Sequence, residues 1–242
     1  MLGLLSRRKR SAKTDICSAV VVAAGSARRM EGIDKVMTPL GGVPILVRTL
    51  RVFQNCEQVH EIVIVTREDL LADVAKLCKA YNLDKVSGIV VGGTERVLSV
   101  QAGLRQVRKD AALIAIQDGA RPFLSQQVLG DVLHQAKLSG AAAPAIAVTD
   151  TIKRVDAKEL ICDTVDRSCL RAVQTPQVFQ ADLIRAAIRK AVDDGAPVTD
   201  DCSAVERLGM KVVLTPGERE NIKVTTPFDM ILGQAILEAR GE

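Results

Sequence analysis

Six short apolar runs recur along the chain: SAVVVAA (18–24), EIVIVT (61–66), GIVVGG (88–93), ALIAIQD (112–118), APAIAV (143–148) and KVVLTP (211–216). Continuous runs of this length, rich in valine and isoleucine, predict strands buried on both faces of a sheet. Most are followed by stretches with apolar residues three and four apart, which predict helices over residues 44–54, 68–82, 95–108, 126–139, 180–193 and 227–239. Pro44 and Pro227 stand where a helix tolerates proline, because a first-turn N–H has no helical acceptor. Strand then helix, repeated, predicts an α/β domain with a mainly parallel sheet flanked by helices. Residues 149–177 break the alternation. There, polar and apolar positions alternate around a turn-like DAKE, which predicts a hairpin arm projecting from the body, either to cover a site or to grip a second subunit. No repeat, low-complexity stretch or linker divides residues 16–242 into two domains.

Composition supports one substantial core, since 48% of the 242 residues are hydrophobic. The formal charge of +4 is local: residues 1–15 carry Arg7, Arg8, Lys9, Arg10 and Lys13 against Asp15, and the remaining chain balances 28 basic with 28 acidic residues. Residues 1–15 therefore predict a basic, disordered tail. A neutral body with no tryptophan, one tyrosine and four phenylalanines lacks the basic stripe and stacking platform of a nucleic-acid binder. No window is apolar enough to cross a bilayer, and the opening residues place their charges after a very short apolar run, the reverse of a secretory signal; the expected location is cytoplasmic. The six cysteines (Cys17, Cys56, Cys78, Cys162, Cys169 and Cys202) form no C-x-x-C pair and have no adjacent histidine. They predict neither a zinc site nor a disulfide framework, only reduced and mostly buried thiols.

Candidate chemistry sits where the predicted strands end. AAGSARRM follows the first strand, where open α/β sheets bind ligands, and a small-residue turn around Gly25 lets backbone N–H groups approach an anion. It matches neither G-x-x-x-x-G-K-[ST] nor G-x-G-x-x-G, so alone it also reads as a tight connection with Arg28 and Arg29 in solvent. IAIQDGARP places Asp118 directly after a strand, either as a hard oxygen ligand for Mg²⁺ or as a turn and cap residue. VVGGTERVLSV offers a further glycine turn, with Thr94 as a candidate N-cap and Ser99 one turn further on. GERENIKVTTPFDM puts Lys223 in a short strand that ends at a proline-led helix. Together, Arg29, Lys35, Lys223 and Asp118 make up the inventory that phosphoryl or nucleotidyl transfer requires, in which cations neutralise charge developing on phosphate and leaving group. His60 and His134 have no triad context and no G-x-S-x-G elbow occurs, which disfavours a nucleophilic enzyme.

The segments AAGSARRM, KVMTPLGGVPIL, VVGGTERVLSV, DGARPF, DTIKRV, TVDRSCLRAVQTPQVF, VTDDCSAVERLG and NIKVTTPFDM, in this order from about residue 20 to 229, resemble the 2-C-methyl-D-erythritol 4-phosphate cytidylyltransferases of non-mevalonate isoprenoid synthesis. The resemblance implies a single Rossmann-like nucleotidyltransferase domain. It also implies a reaction in which the phosphate of the methylerythritol substrate attacks the α-phosphorus of CTP and releases pyrophosphate. Carried over by motif, Ala23, Ala24 and Gly25 contact the nucleotide, and Arg29 and Lys35 grip its triphosphate and stabilise the transition state. Gly93, Thr94 and Ser99 line the cytosine pocket. Asp118 lies beside Mg²⁺ and the nucleotide, with Gly119 and Arg121 nearby, Arg121 facing the substrate. Arg167 and Lys223 position the attacking phosphate, and Thr151 and Thr199 hold the polyol phosphate. The family also implies a homodimer interlocked through the arm, so that Thr151 or Arg167 serves the neighbouring site.

The chain departs from the family pattern at three places. Ala27 stands where glycine is usual, which restricts the backbone beside the triphosphate. Asp34 stands where proline usually precedes the lysine, and Gln117 where histidine is common. A ribitol 5-phosphate cytidylyltransferase shares the CTP chemistry and differs in the acceptor pocket. RRMEGIDK also looks like the loop of molybdopterin guanylyltransferases, although those open with A-G-G. A nucleotide-binding module without catalysis needs no phosphate-positioning pair such as Arg167 and Lys223.

Overall fold

A computed structural model describes residues 16–25 and 35–242. The predicted tail (1–15) and Ala27, Arg28, Arg29 and Asp34 lie outside the described residues. In chain order the elements are β1 (Cys17–Val22), β2 (Pro39–Leu40), β3 (Val43–Pro44), α1 (Ile45–Gln54), β4 (Val59–Thr66), α2 (Leu71–Ala80), β5 (Val86–Val91), α3 (Arg96–Gln106), β6 (Leu113–Asp118) and α4 (Gln126–Ser139). They continue with β7 (Ala141–Ala147), β8 (Lys153–Val155), β9 (Ile161–Thr164), β10 (Arg171–Val173), β11 (Gln177–Gln180), α5 (Ala181–Asp193), α6 (Asp201–Glu206), β12 (Val213–Pro216) and α7 (Pro227–Arg240).

The main sheet runs β10-β7-β11-β6-β1-β4-β5, with β12 paired to β7. β1 lies parallel between β4 and β6, which is why its five residues from Cys17 to Val21 are all buried. Its alternate side chains feed two cores. Ala19 and Val21 pack with Leu46, Leu50 and Phe53 of α1 and with Leu129 and Leu133 of α4 on one face. Val20 packs with Val100 and Leu104 of α3 and with Ile184 and Ile188 of α5 on the other. Gly103 lets α3 come close to the sheet, because a Cβ there would lie 2.5 Å from Val20 Cγ1 and 2.8 Å from Val65 Cγ2. Burial of the α5 residues Ala181, Ile184, Ala187, Ile188 and Ala191 traces the predicted apolar stripe.

The parallel reading holds from β5 to β6, whereas the other half is mixed: β11 runs antiparallel to β6 and β7, and β10 antiparallel to β7. The projecting hairpin is shorter than 149–177. Only β8 and β9 form it, and residues 171–180 return to the main sheet. Pro44 is the N-cap of α1, and Pro227 the first residue of α7 after a Thr226–Asp229 capping box. Thr94 is not a cap: Glu95 holds that position on α3, without a side-chain bond, and the expected strand around Lys223 is an irregular segment between β12 and α7. All six cysteines are free, but only Cys17, Cys56 and Cys202 are buried, while Cys162 and Cys169 stand exposed on the arm segment. Among the described residues no helix is long and apolar enough to cross a membrane.

Candidate active site

Strand order reverses at β1, whose successor β4 lies on one side and the later β6 on the other. That reversal opens a crevice beyond the carboxyl ends of the strands, where doubly wound sheets take their ligands. A cleft of about 750 Å³ occupies this place. Its walls come from the ends of four neighbouring parallel strands: Val22 to Gly25 after β1, Arg67 and Glu68 after β4, Gly92 to Glu95 after β5, and Asp118 at the end of β6. Lys35 and Lys223 complete it from two further segments.

Backbone bonds between neighbouring strand ends set the shape. The Ala23 N–H donates to the Val65 carbonyl (2.7 Å), the Gly92 N–H to the Thr66 carbonyl (2.8 Å), and the Gly119 N–H to the Val22 carbonyl (2.8 Å). The amides of Ala23 and Gly119 are therefore engaged inside the fold. Ser99 is buried, and its hydroxyl accepts from the Gly93 N–H (3.1 Å) and reaches the Glu95 carbonyl (3.2 Å). Ser99 thus shapes the glycine turn it was expected to line. Gly92 is required by close approach: a Cβ there would fall 2.5 Å from Ala24 Cβ and 2.7 Å from Ser99 Oγ.

Asp118 is the electrostatic centre. Lys223 Nζ lies 2.9 Å from Oδ2, Arg96 Nε 3.5 Å from Oδ1 and Arg121 Nε 3.5 Å from Oδ2. Burial alone would raise this carboxyl, but Lys223, Arg96 and Arg121 outweigh it and hold Asp118 below the ordinary aspartate value. It is an anion at neutral pH. Arg96 also makes a bidentate pair with Asp201, Nη1 to Oδ1 at 2.9 Å and Nη2 to Oδ2 at 2.7 Å. Burial works against the Arg96 charge, yet the two aspartates, Asp201 foremost, raise it above the usual arginine value. Asp201 is 1% exposed, and burial pushes its carboxyl up while Arg96 opposes the shift. Gln177 fixes the start of α6 beside it, Oε1 accepting from the N–H groups of Asp201 (3.0 Å) and Cys202 (2.9 Å).

Of the residues expected from sequence, Ala23, Ala24, Gly25, Lys35, Gly93, Thr94, Ser99, Asp118 and Lys223 come together around the cleft. Gly119 does not line the cleft, its N–H being taken by the Val22 carbonyl. Arg121 is turned inward, Nη1 donating to the Asn221 carbonyl (2.7 Å). Thr151, Arg167 and Thr199 are not brought to this chain's cleft: Arg167 donates to the Thr149 carbonyl within the arm, and Thr199 is exposed just before α6. Gln117 is fully buried at the end of β6, its Nε2 reaching the Arg121 carbonyl (3.4 Å). Arg96 and Asp201 were missed. The available signal was an arginine at the first position of a helix, where the macrodipole disfavours a cation unless carboxylates face it.

The family model described as 2-C-methyl-D-erythritol 4-phosphate cytidylyltransferase (IspD) matches residues 17–239. A relative of that name in Dehalococcoides mccartyi (strain CBDB1) is 43% identical over 220 residues, 91% of this chain and 95% of its own. Another, in Clostridium novyi (strain NT), is 45% identical over 222 residues, 91% and 96% of the two chains. Among solved structures, the 4-diphosphocytidyl-2C-methyl-D-erythritol synthase of Anaerococcus prevotii aligns with a TM-score of 0.83 at 31% identity, covering 92% of this chain and 96% of that one. The 2-C-methyl-D-erythritol 4-phosphate cytidylyltransferase of Thermus thermophilus aligns with a TM-score of 0.76 at 29% identity, covering 91% and 98%. With the strand-end cleft, the Asp118–Lys223 pair and a match that runs almost from end to end, the chain belongs to the 2-C-methyl-D-erythritol 4-phosphate cytidylyltransferase family.

Proposed function

We propose that the protein transfers the cytidylyl group of CTP to 2-C-methyl-D-erythritol 4-phosphate. An oxygen of the acceptor's phosphate forms a bond to the α-phosphorus of CTP, the bond from that phosphorus to the β-bridging oxygen breaks, and pyrophosphate leaves. A phosphate anion is already a nucleophile, so the site needs placement and charge compensation more than a general base. The observation that carries this reading is Lys223 Nζ 2.9 Å from Asp118 at the end of β6, facing the glycine turns of β1 and β5 across one cleft.

In this reading Ala23, Ala24 and Gly25 bound the nucleotide, and Gly93, Thr94 and the turn braced by Ser99 take the cytosine. Lys35 and Arg29 compensate the triphosphate. Lys223 orients the attacking phosphate, and Arg121 acts from behind, through Asp118 and the Lys223 segment. Thr151 and Arg167 serve the neighbouring subunit of a homodimer, supported by their standing outside the lining of this chain's cleft and by exposed Leu160 and Ile161 on the arm. Thr199, exposed just before α6 and outside the cleft, takes no part in this reading. The reaction is placed in the cytoplasm.

Magnesium favours hard oxygen ligands, commonly one or two carboxylates with substrate phosphates and water. Among the described residues no group of three or more acidic, histidine or cysteine side chains gathers to hold a metal, but the ionised, strand-end Asp118 fits a site of the single-carboxylate kind. Asp118 would hold the ion, which would supply charge neutralisation on the phosphates. The test is pyrophosphate release across CTP, GTP, ATP and UTP, each with methylerythritol phosphate or ribitol 5-phosphate. CTP with methylerythritol phosphate is expected to exceed all other combinations. Ribitol phosphate as the better acceptor, or GTP as the better donor, overturns the assignment.

A further inference from the structure

The Asp118–Lys223 pair joins segments more than a hundred residues apart, and buried polar groups behind the cleft hold both. The Asp118 N–H donates to Thr175 Oγ1 (3.1 Å). Asn221 Nδ2 donates to the Thr175 carbonyl (3.1 Å) and to Gln174 Oε1 (3.3 Å). Thr175 therefore touches the backbone of Asp118 through its hydroxyl, and through its carbonyl the residue two positions before Lys223. Thr175 is 4% exposed and Asn221 fully buried. Two bonds fix the Lys223 segment against the other end of the same turn: Arg121 Nη1 to the Asn221 carbonyl (2.7 Å) and the Val224 N–H to the Ala120 carbonyl (2.8 Å). Gln174 closes the arrangement, donating to the Glu218 carbonyl (2.7 Å) and accepting from the Glu218 N–H (3.3 Å). Val224 itself is buried with Phe123 and Leu237.

Buried amide and hydroxyl groups stabilise little over an apolar filling of equal shape, but they fix one geometry because each must meet its partner. A lysine side chain is long and torsionally free, so the place its ammonium can reach is set by where its backbone is anchored. We propose that Thr175 and Asn221 are positioning residues: they fix the separation of the Asp118 carboxylate and the Lys223 ammonium, and act on the reaction only through that pair. This inference rests on the transferase reading above.

Three variants test it. Thr175→Val removes the hydroxyl at nearly constant volume, Thr175→Ser restores it, and Asn221→Ala cuts the tie to the Lys223 segment. Misplacing a reacting group by an ångström lowers turnover by up to about a hundredfold, so kcat is expected to fall roughly 10- to 100-fold in Thr175→Val and Asn221→Ala. The calorimetric Kd for CTP should stay within about threefold, and Thr175→Ser should recover most of kcat. In a Lys223→Ala background, Asn221→Ala should lower kcat no further, because the group it positions is gone. Additive losses in that double variant, or CTP affinity falling in step with kcat, would overturn the inference. If Asn221→Ala does not fold, Asn221→Ser, which also withdraws the Nδ2 donor from the Thr175 carbonyl, gives the same cycle with Lys223→Ala. A parent protein that releases no pyrophosphate from CTP overturns the transferase reading, and the inference with it; additivity in an active parent overturns the inference alone.

Discussion

Replacing Arg96 with methionine should destabilise the protein in a pH-dependent way. The Asp201 carboxylate, 1% exposed, receives two charge-assisted bonds from Arg96 at 2.9 and 2.7 Å. Removing one member of such a pair leaves an uncompensated buried charge, which costs about 3–5 kcal/mol. For a chain of this size each kcal/mol moves the melting temperature by about 2–4 °C, so the expected fall is roughly 6–20 °C. Burial already pushes the Asp201 carboxyl up, and without Arg96 it rises further. A carboxyl whose folded value lies above its unfolded value contributes stability that is fully present below the unfolded value and is lost as pH climbs through the folded one. The loss on substitution should therefore be smaller near about pH 5 than near about pH 8. Adding Asp201→Asn removes the stranded charge and should recover all but about 1 kcal/mol. The assay is denaturant unfolding of the parent, both single variants and the double variant at the two pH values. A loss below about 1 kcal/mol in Arg96→Met, or a double variant no more stable than that single one, refutes the argument.

Lys223→Ala should lower turnover much more than it weakens CTP binding, because the lysine serves the attacking phosphate; equal losses in kcat and in calorimetric CTP affinity contradict that role. Gly92→Ala forces a methyl group to within 2.5 Å of Ala24 Cβ, an overpacking worth about 1–3 kcal/mol that should raise the Kd for CTP roughly tenfold or more. An unchanged Kd would mean that the turn after β5 does not border the nucleotide. Charging the exposed arm residues with Leu160→Asp and Ile161→Asp should convert a dimer to monomers in sedimentation velocity. A parent chain that is already monomeric at micromolar concentration removes the arm-mediated dimer.

The strands and most helices were legible because their signals are local. Each of the six apolar runs is a strand; β1, β4, β6 and β7 are largely buried, as such runs in a covered sheet require, whereas β5 and β12 each pair with one neighbour and are only partly covered. Strand β11, Gln177–Gln180, is four residues long with three of them buried, and gave no comparable run; it closes the sheet through pairing with β6 and β7, which only the fold supplies. Helix α6 is too short for an apolar period and is defined by its Asp200 capping box. In the site, strand-end residues such as Asp118 could be placed from sequence because position along a parallel strand settles which end of the sheet they occupy. Arg96 and Thr175 are brought to Asp118, and Asp201 and Asn221 to those two, by the packing of elements distant in sequence, and no spacing within a motif encodes those meetings.

In the proposed reaction the acceptor's phosphate displaces pyrophosphate from the α-phosphorus of CTP. Phosphorus NMR of the protein incubated with CTP, methylerythritol 4-phosphate and magnesium should show equal amounts of pyrophosphate and an unsymmetrical diphosphate diester with two coupled signals. CMP with pyrophosphate and no diester, or CDP as the nucleotide product, would contradict the account.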